Sequence, residues 1–231
     1  MRRGGRPLEP WYVIGKNLAL PPFKLWFNWR FEGFERIPAQ GPLIVAGNHL
    51  SFVDPFAHGL FVTKAGRRPR FLAKVELFKN PILRTVLKGA GQIPVARGTG
   101  DQTPLEDAQR ALATGEVVVI YPEGTTTATN PDFSPARGKT GAVRLALAAG
   151  VPILPVATYG GQYVMRHEGK TSLKFGRPIL LKAGEPMDLA ARAEGADDAE
   201  TLRRLTDEMM AELGALVADL RARYPKRWAQ G

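Results

Sequence analysis

Three short, almost uninterrupted apolar runs constrain the fold of this chain most: "GPLIVAG" at 41–47, "EVVVIYP" at 116–122 and "VPILPVATY" at 151–159. Each is of strand length and is bounded by Gly or Pro. A half-exposed strand would alternate apolar and polar residues. A run that is apolar throughout must be buried on both faces, which argues for a mainly parallel sheet with helices on either side.

The intervening stretches supply those helices. A helical pattern runs from about Phe52 to Val62, and "NPILRTVLKG" reads as a short helix ended by Gly89. In "TPLEDAQRALATG", Thr103 is the expected N-cap, with Glu106 three residues on and Gly115 as the stop. "GKTGAVRLALAAG" is helical. From Asp198 to Tyr224, Leu202, Leu205, Met209, Leu213, Leu216 and Leu220 mark one core-facing stripe. "PRFLAK" and "GQIPVAR" read as further strands, and "TSLKFGRPILL" as a strand pair near an edge. The expected fold is α/β, with a single domain over 29–231 and a mixed, mainly parallel sheet covered by helices. No linker divides it.

The chain has no cysteine, which excludes disulfides, thiolate nucleophiles and cysteine metal sites. Its 32 Lys and Arg against 22 Asp and Glu give a net charge of +10, an excess that favours anionic partners. No apolar run reaches the roughly 20 residues of a membrane span, and no secretory leader is evident. The N-terminal stretch "WYVIGKNLALPPFKLWFNWRF" instead mixes Trp11, Tyr12, Phe23, Trp26, Phe27 and Trp29 with Lys16, Lys24 and Arg30. Pro21 and Pro22 split it into two pieces, and Phe23, Trp26 and Phe27 share a face at helical spacing. Taken alone, residues 1–28 read equally as a basic, aromatic membrane-interface segment or as an N-terminal helix packed on the domain's own core.

The chemistry points to "NHLSFVD" at 48–54. His49 follows the end of a strand, the edge at which open α/β sheets collect ligands. Asp54 lies about a turn further on and can bind one ring nitrogen, which leaves the other to take a proton. There is no G-x-S-x-G elbow and no H-E-x-x-H zinc motif, and Ser51 is too near His49 in sequence to be an easy nucleophile. His58 and His167 stand outside any motif and read as structural or surface residues. The imidazole thus has a hydroxyl of the substrate left to activate. "GKTG" at 138–141 is not a phosphate-binding P-loop, because Phe133 occupies the position of its first glycine. It does place Lys139 at an expected helix start, where anions are held.

"NHLSFVD", "GQIPVAR", "YPEGTTT" and "VPILPV" occur in this order. Together they resemble the blocks of the glycerolipid acyltransferases, in particular the bacterial 1-acyl-glycerol-3-phosphate acyltransferases. The resemblance covers about residues 30 to 180. It implies that His49 is the general base and that Asp54 orients it. It also implies that Arg97, Glu123, Gly124 and Thr125 contribute to acceptor binding, that Lys74 sits near the phosphate, and that Pro152 and Pro155 form a structural wall. Lys139 joins this set from its place downstream. The family's arginine after E-G-T is replaced by Thr126, so Arg97, Lys74 and Lys139 are the cations expected to hold the phosphate.

The implied partners are an acyl-CoA or acyl-acyl carrier protein donor, a lysophosphatidic acid acceptor and an anionic membrane surface, with no nucleic acid. The implied reaction is direct attack, without metal or cofactor. The implied location is the cytoplasmic face of a membrane, held peripherally. Two alternatives stay open: the same fold acting on another lysophospholipid or lipid hydroxyl, and a non-catalytic basic protein that binds membrane or nucleic acid.

Overall fold

Seven strands form one sheet in the order β1-β7-β6-β2-β5-β3-β4 in a computed structural model. The structure describes residues 20–96, 98–99, 101–126, 130, 132–165, 171–193 and 198–229. The central strands are the apolar runs: β2 (Leu43–Gly47), β5 (Val117–Ile120) and β6 (Ile153–Tyr159), every residue of which is buried. β2 pairs in parallel with both β5 and β6, and β3 (Pro69–Lys74) extends the parallel set from β5 to β4 (Ile93–Val95). β7 (Pro178–Ala183) runs antiparallel to β6, and β1 (Asn28–Glu32) pairs in parallel with β7.

Helices cover both faces, as continuous apolar strands require. On one face Leu43, Val45, Val117 and Val119 pack with Ala57, Phe61 and Val62 of α2 (Asp54–Lys64). The alternate residues Ile44, Ala46, Val118 and Ile120 face the other way. They meet α4 (Thr103–Ala113) through Ala108 and Leu112, α5 (Gly141–Ala149) through Val143 and Leu145, and α7 (Ala199–Arg223) through Leu205 and Met209. The stripe expected on α7 is buried as drawn, and Asp198 caps the helix by accepting from Thr201 N at 2.8 Å. The remaining helices are α1 (Leu20–Trp26), α3 (Pro81–Gly89) and the short α6 (Leu189–Ala193).

Three local expectations are corrected. "TSLKFGRPILL" is not a strand pair. Only Pro178–Ala183 is a strand, and it lies inside the sheet between β1 and β6. The turn at Gly176, with φ of 75°, intervenes before it. Thr103 is not the N-cap of α4 but its first residue, and its N–H is taken by Asp101 Oδ1 at 3.0 Å. Pro21 and Pro22 start α1, as a split of the stretch at this pair requires, and the piece before them lies outside the described residues. Both prolines occupy the first turn of α1, where a missing N–H costs nothing. Phe27 does not share a helical face with Trp26, because α1 ends at Trp26 and Phe27 turns into the core. Trp29 and Arg30 then belong to the edge strand β1. Trp11, Tyr12 and Lys16 lie outside the described residues. Among the described residues, no helix is long and apolar enough to cross a membrane.

Candidate active site

The parallel set β6-β2-β5-β3-β4 brings the ends of five strands to one edge of the sheet, and the sequence-selected residues gather there. β2 ends at Gly47 and the chain passes through Asn48 to His49. Asn48 extends the ladder with its side chain: Nδ2 donates to Thr158 O at 3.0 Å and Oδ1 accepts from Thr158 N at 2.7 Å. The loop is thereby tied to β6 one residue before the imidazole.

His49 Nδ1 lies 3.3 Å from Asp54 Oδ2, and both side chains are buried, His49 being 8% exposed and Asp54 0%. The same oxygen accepts from Leu50 N at 2.5 Å and Ser51 N at 2.7 Å, and Oδ1 accepts from Ser51 Oγ at 3.1 Å. Asp54 opens α2, where the helix dipole favours a carboxylate. Its charge is therefore held in place by donors on three sides. Ser51 Oγ is committed to Asp54 and also accepts from Val53 N at 3.1 Å, so it is a strut of this turn. The close fit depends on Gly161, where an added Cβ would stand 2.6 Å from Ser51 Oγ and 3.0 Å from Asp54 Oδ1.

β5 ends at Ile120 and delivers Tyr121 and Glu123 to the same edge. The Tyr121 ring stacks on His49, with centroids 4.4 Å apart and planes at 20°. Glu123 spans two segments: Oε1 accepts from His49 N at 2.9 Å and Oε2 from Ala136 N at 2.9 Å. The resemblance implies acceptor binding for Glu123, and what the structure shows is a bracing contact to the His49 backbone. Gly124 has φ of 72°, and a Cβ there would lie 3.0 Å from Lys139 Nζ. The Lys139 side chain thus lies across Gly124, while its N–H donates to Pro122 O at 2.8 Å. Lys139 is not the start of α5 but stands two residues before it, at the end of the loop that Glu123 braces.

Thr125 is exposed and Thr126 half-buried beside Gly124. Lys74 closes β3 at the same edge, half exposed and 3.9 Å from Glu76. Pro152 precedes β6 and Pro155 is buried within it. Arg97 and His167 lie outside the described residues. Among the described residues, no group of three or more His, Cys, Asp or Glu side chains could hold a metal ion.

His58, read from the sequence as structural or surface, is fully buried behind this site. Its ring nitrogens lie 2.9 Å from Asp54 O and 3.0 Å from Val156 O, and the Tyr121 hydroxyl is 3.2 Å from Nδ1. Burial holds this imidazole below its ordinary range, against the opposing pull of the Val156 carbonyl and the Asp54 charge. The Tyr121 phenol is pushed well up, chiefly by burial and then by Asp54. A neutral histidine and a protonated tyrosine make a hydrogen-bonded pair without placing another charge beside Asp54. Gly47 makes room for it, since a Cβ there would lie 2.7 Å from His58 Nε2. Asn48, Tyr121 and Gly161 escaped the sequence reading. Only Asn48, a polar residue ending an apolar strand, offered a local hint.

A histidine thus stands beside a buried carboxylate at the carboxyl edge of a parallel sheet, the edge at which open α/β sheets collect ligands. The chain belongs to the acyltransferase family, whose model, described as Acyltransferase, matches residues 28–159.

Among its relatives, the 1-acyl-sn-glycerol-3-phosphate acyltransferase of Bacillus subtilis (strain 168) is 30% identical over 156 residues, covering 68% of this chain and 72% of that protein. The human 1-acyl-sn-glycerol-3-phosphate acyltransferase beta is 33% identical over 160 residues, covering 68% of this chain and 55% of the human protein. The crystal structure of the 1-acyl-sn-glycerophosphate (LPA) acyltransferase PlsC from Thermotoga maritima superposes with a TM-score of 0.67 at 26% identity, covering 94% of this chain and 81% of that one. The expected fold, a single α/β domain with a mainly parallel sheet, is the one observed.

Proposed function

We propose that this acyltransferase moves an acyl chain from an acyl thioester to the free sn-2 hydroxyl of lysophosphatidic acid, giving phosphatidic acid. The observation that carries the reading is the His49–Asp54 pair at 3.3 Å, its carboxylate fully buried and fixed by the Leu50 and Ser51 N–H groups. The names of the relatives supply the substrate class.

In this reading Asp54 holds the proton on Nδ1 of His49, and Nε2 accepts the proton of the acceptor hydroxyl. The oxygen attacks the thioester carbonyl and a tetrahedral oxyanion forms. Collapse breaks the carbon–sulfur bond, and the departing thiolate takes the proton back from His49. Attack is direct, because Ser51 is buried and engaged by Asp54 and Val53. The donor is acyl-CoA or acyl-acyl carrier protein. Lys74, Arg97 and Lys139 hold the acceptor phosphate with Gly124 and Thr125, in place of the arginine that Thr126 replaces. Glu123 keeps the His49 backbone in position. Residues 1–28 attach the domain to the cytoplasmic face of an anionic membrane, and 29–231 carry the chemistry. The substitution at Thr126 also favours a second reading, in which the acceptor is a different lysophospholipid or lipid hydroxyl.

The test is an acyl-transfer assay with both donors and a panel of acceptors, run on the wild type and His49→Ala. Loss of the base lowers turnover by about 10²–10⁴-fold. Near wild-type turnover in folded His49→Ala removes the mechanism. A preference for an acceptor other than lysophosphatidic acid selects the second reading.

A further inference from the structure

β3 leaves the sheet at the edge that carries His49, and the chain then makes a short 3₁₀ turn (Val75–Lys79) and helix α3. Local signals explain why α3 forms. Asn80 Oδ1 accepts from Ile82 N at 3.0 Å and Leu83 N at 3.1 Å, and Pro81 occupies the first turn. α3 leans on the preceding turn, with Val86 and Leu87 half-buried, but none of its residues is fully buried. A nine-residue helix that buries so little is marginal in water.

Its apolar side chains make a stripe, Ile82 with Val86 and Leu83 with Leu87, each pair four residues apart. Ile82 is 75% exposed, and Leu77 in the preceding turn is 45% exposed. Phe78, by contrast, is buried and pins the turn to the domain. Lys79 and Arg84 flank the exposed Ile82 and Leu83 in sequence, Lys88 lines a groove with Arg70 and Glu116, and Glu76 is the only acidic residue between 74 and 89. Phe52, 48% exposed, lies on the connection after β2 just past His49, and Phe56, 53% exposed, lies in the first turn of α2.

We propose that Leu77, Ile82 and Leu83 enter the interface of an anionic bilayer, with Lys79 and Arg84 on its phosphates, so that the catalytic edge faces the membrane. This surface is separate from the N-terminal segment. An exposed apolar stripe flanked by cations is what an interfacial helix needs: apolar area for the acyl boundary, and long basic side chains that reach back to the headgroups. An acidic protein partner would account for the cations alone and would leave a 75%-exposed isoleucine unexplained. The surface also suits the proposed acceptor, which is membrane-embedded; to that extent the inference rests on the lysophosphatidic acid reading.

The experiment is flotation of the full chain with phosphatidylcholine vesicles, with and without phosphatidylglycerol. It compares the wild type, the double variant Ile82→Asp/Leu83→Asp, and the double variant Lys79→Gln/Arg84→Gln. The aspartate variant is expected to bind both vesicles at least tenfold less well. The glutamine variant is expected to lose affinity for the anionic vesicles alone, by roughly fivefold for each cation removed. Turnover of a water-soluble short-chain acceptor with acyl-CoA should be unchanged in both. Unchanged flotation of both variants overturns the proposal. So does a selective loss of acyl-acyl carrier protein use with vesicle binding intact, which reassigns the face to the carrier. Flotation needs no substrate, so a wild type that floats through this face yet acylates no lysophosphatidic acid refutes the functional reading and leaves the surface standing.

Discussion

Replacing Asp54 by Asn separates the two tasks that the buried carboxylate performs. An amide oxygen at the position of Oδ2 still accepts from Leu50 N and Ser51 N, now 2.5 and 2.7 Å away. The amide NH₂ then faces Ser51 Oγ, which is 3.1 Å from Oδ1 and can turn to accept. The turn keeps its partners, but two charge-assisted hydrogen bonds become neutral ones. At about 1 kcal/mol lost for each, the expected destabilisation is roughly 2 kcal/mol. Catalysis loses more. In the proposed mechanism an imidazolium forms 3.3 Å from what was a carboxylate as the hydroxyl proton reaches His49. Opposite unit charges near 4 Å attract by about 4 kcal/mol at an effective dielectric of 20, and a neutral amide forfeits most of that. The expected drop in kcat is thus on the order of 10²–10³-fold. The assay pairs initial rates at saturating donor and acceptor with urea unfolding of the same preparation. A folded Asp54→Asn enzyme within threefold of wild-type kcat would refute the role of the carboxylate charge. A rate loss fully accounted for by the unfolded fraction would reduce Asp54 to a structural residue.

Gly161→Ala is expected to cost about 1–3 kcal/mol and to impair turnover beyond that loss, since its methyl would stand 2.6 Å from Ser51 Oγ and 3.0 Å from Asp54 Oδ1; a variant with wild-type melting and kcat would show that the segment yields freely. Lys139→Met should raise KM for lysophosphatidic acid by roughly ten- to a hundredfold, with little effect on the thioester, if its ammonium beside Gly124 holds the phosphate; an unchanged KM removes it from the site. Stability should also fall in mild acid because of His58. Its folded-state value is lowered by burial, so below the ordinary value near 6.5 the unfolded chain takes up a proton that the folded chain refuses. This contribution is absent above that value and reaches up to about 1.4 kcal/mol for each pH unit below it, until the folded state also titrates. Denaturant midpoints of the wild type and His58→Gln at pH 7.5 and 5.5 check this, and an identical pH slope for the two would show that His58 does not titrate in this way.

The fold and the His49–Asp54 contact were legible in the residues because both depend on local rules. Apolar runs such as Val117–Ile120 have no stable environment other than the middle of a covered sheet, so α/β layering follows from composition along the chain. His49 and Asp54 are five residues apart across a strand-to-helix turn, so their contact needs little from the rest of the molecule. The short edge strand β1 was hidden in an aromatic stretch, because "NWRFE" becomes a strand only when β7 offers its hydrogen bonds. The same limit made a strand pair of "TSLKFGRPILL", where backbone at Gly176 turns away from the sheet.

By itself the sequence determined the layered sheet, the helix stripes, the His–Asp pair and the basic character of the chain, all of which are patterns within a few residues or sums over all of them. Tertiary structure alone decided what surrounds the imidazole. Tyr121 lies on the His49 ring, Glu123 reaches the His49 backbone from 74 residues away, and Gly161 leaves space for Asp54 from a different strand end. The parallel pairing of β2, β5 and β6 delivers all three to one edge. Such contacts carry no local pattern because they pair groups by distance in space, and strand register, a property of the whole sheet, sets that distance.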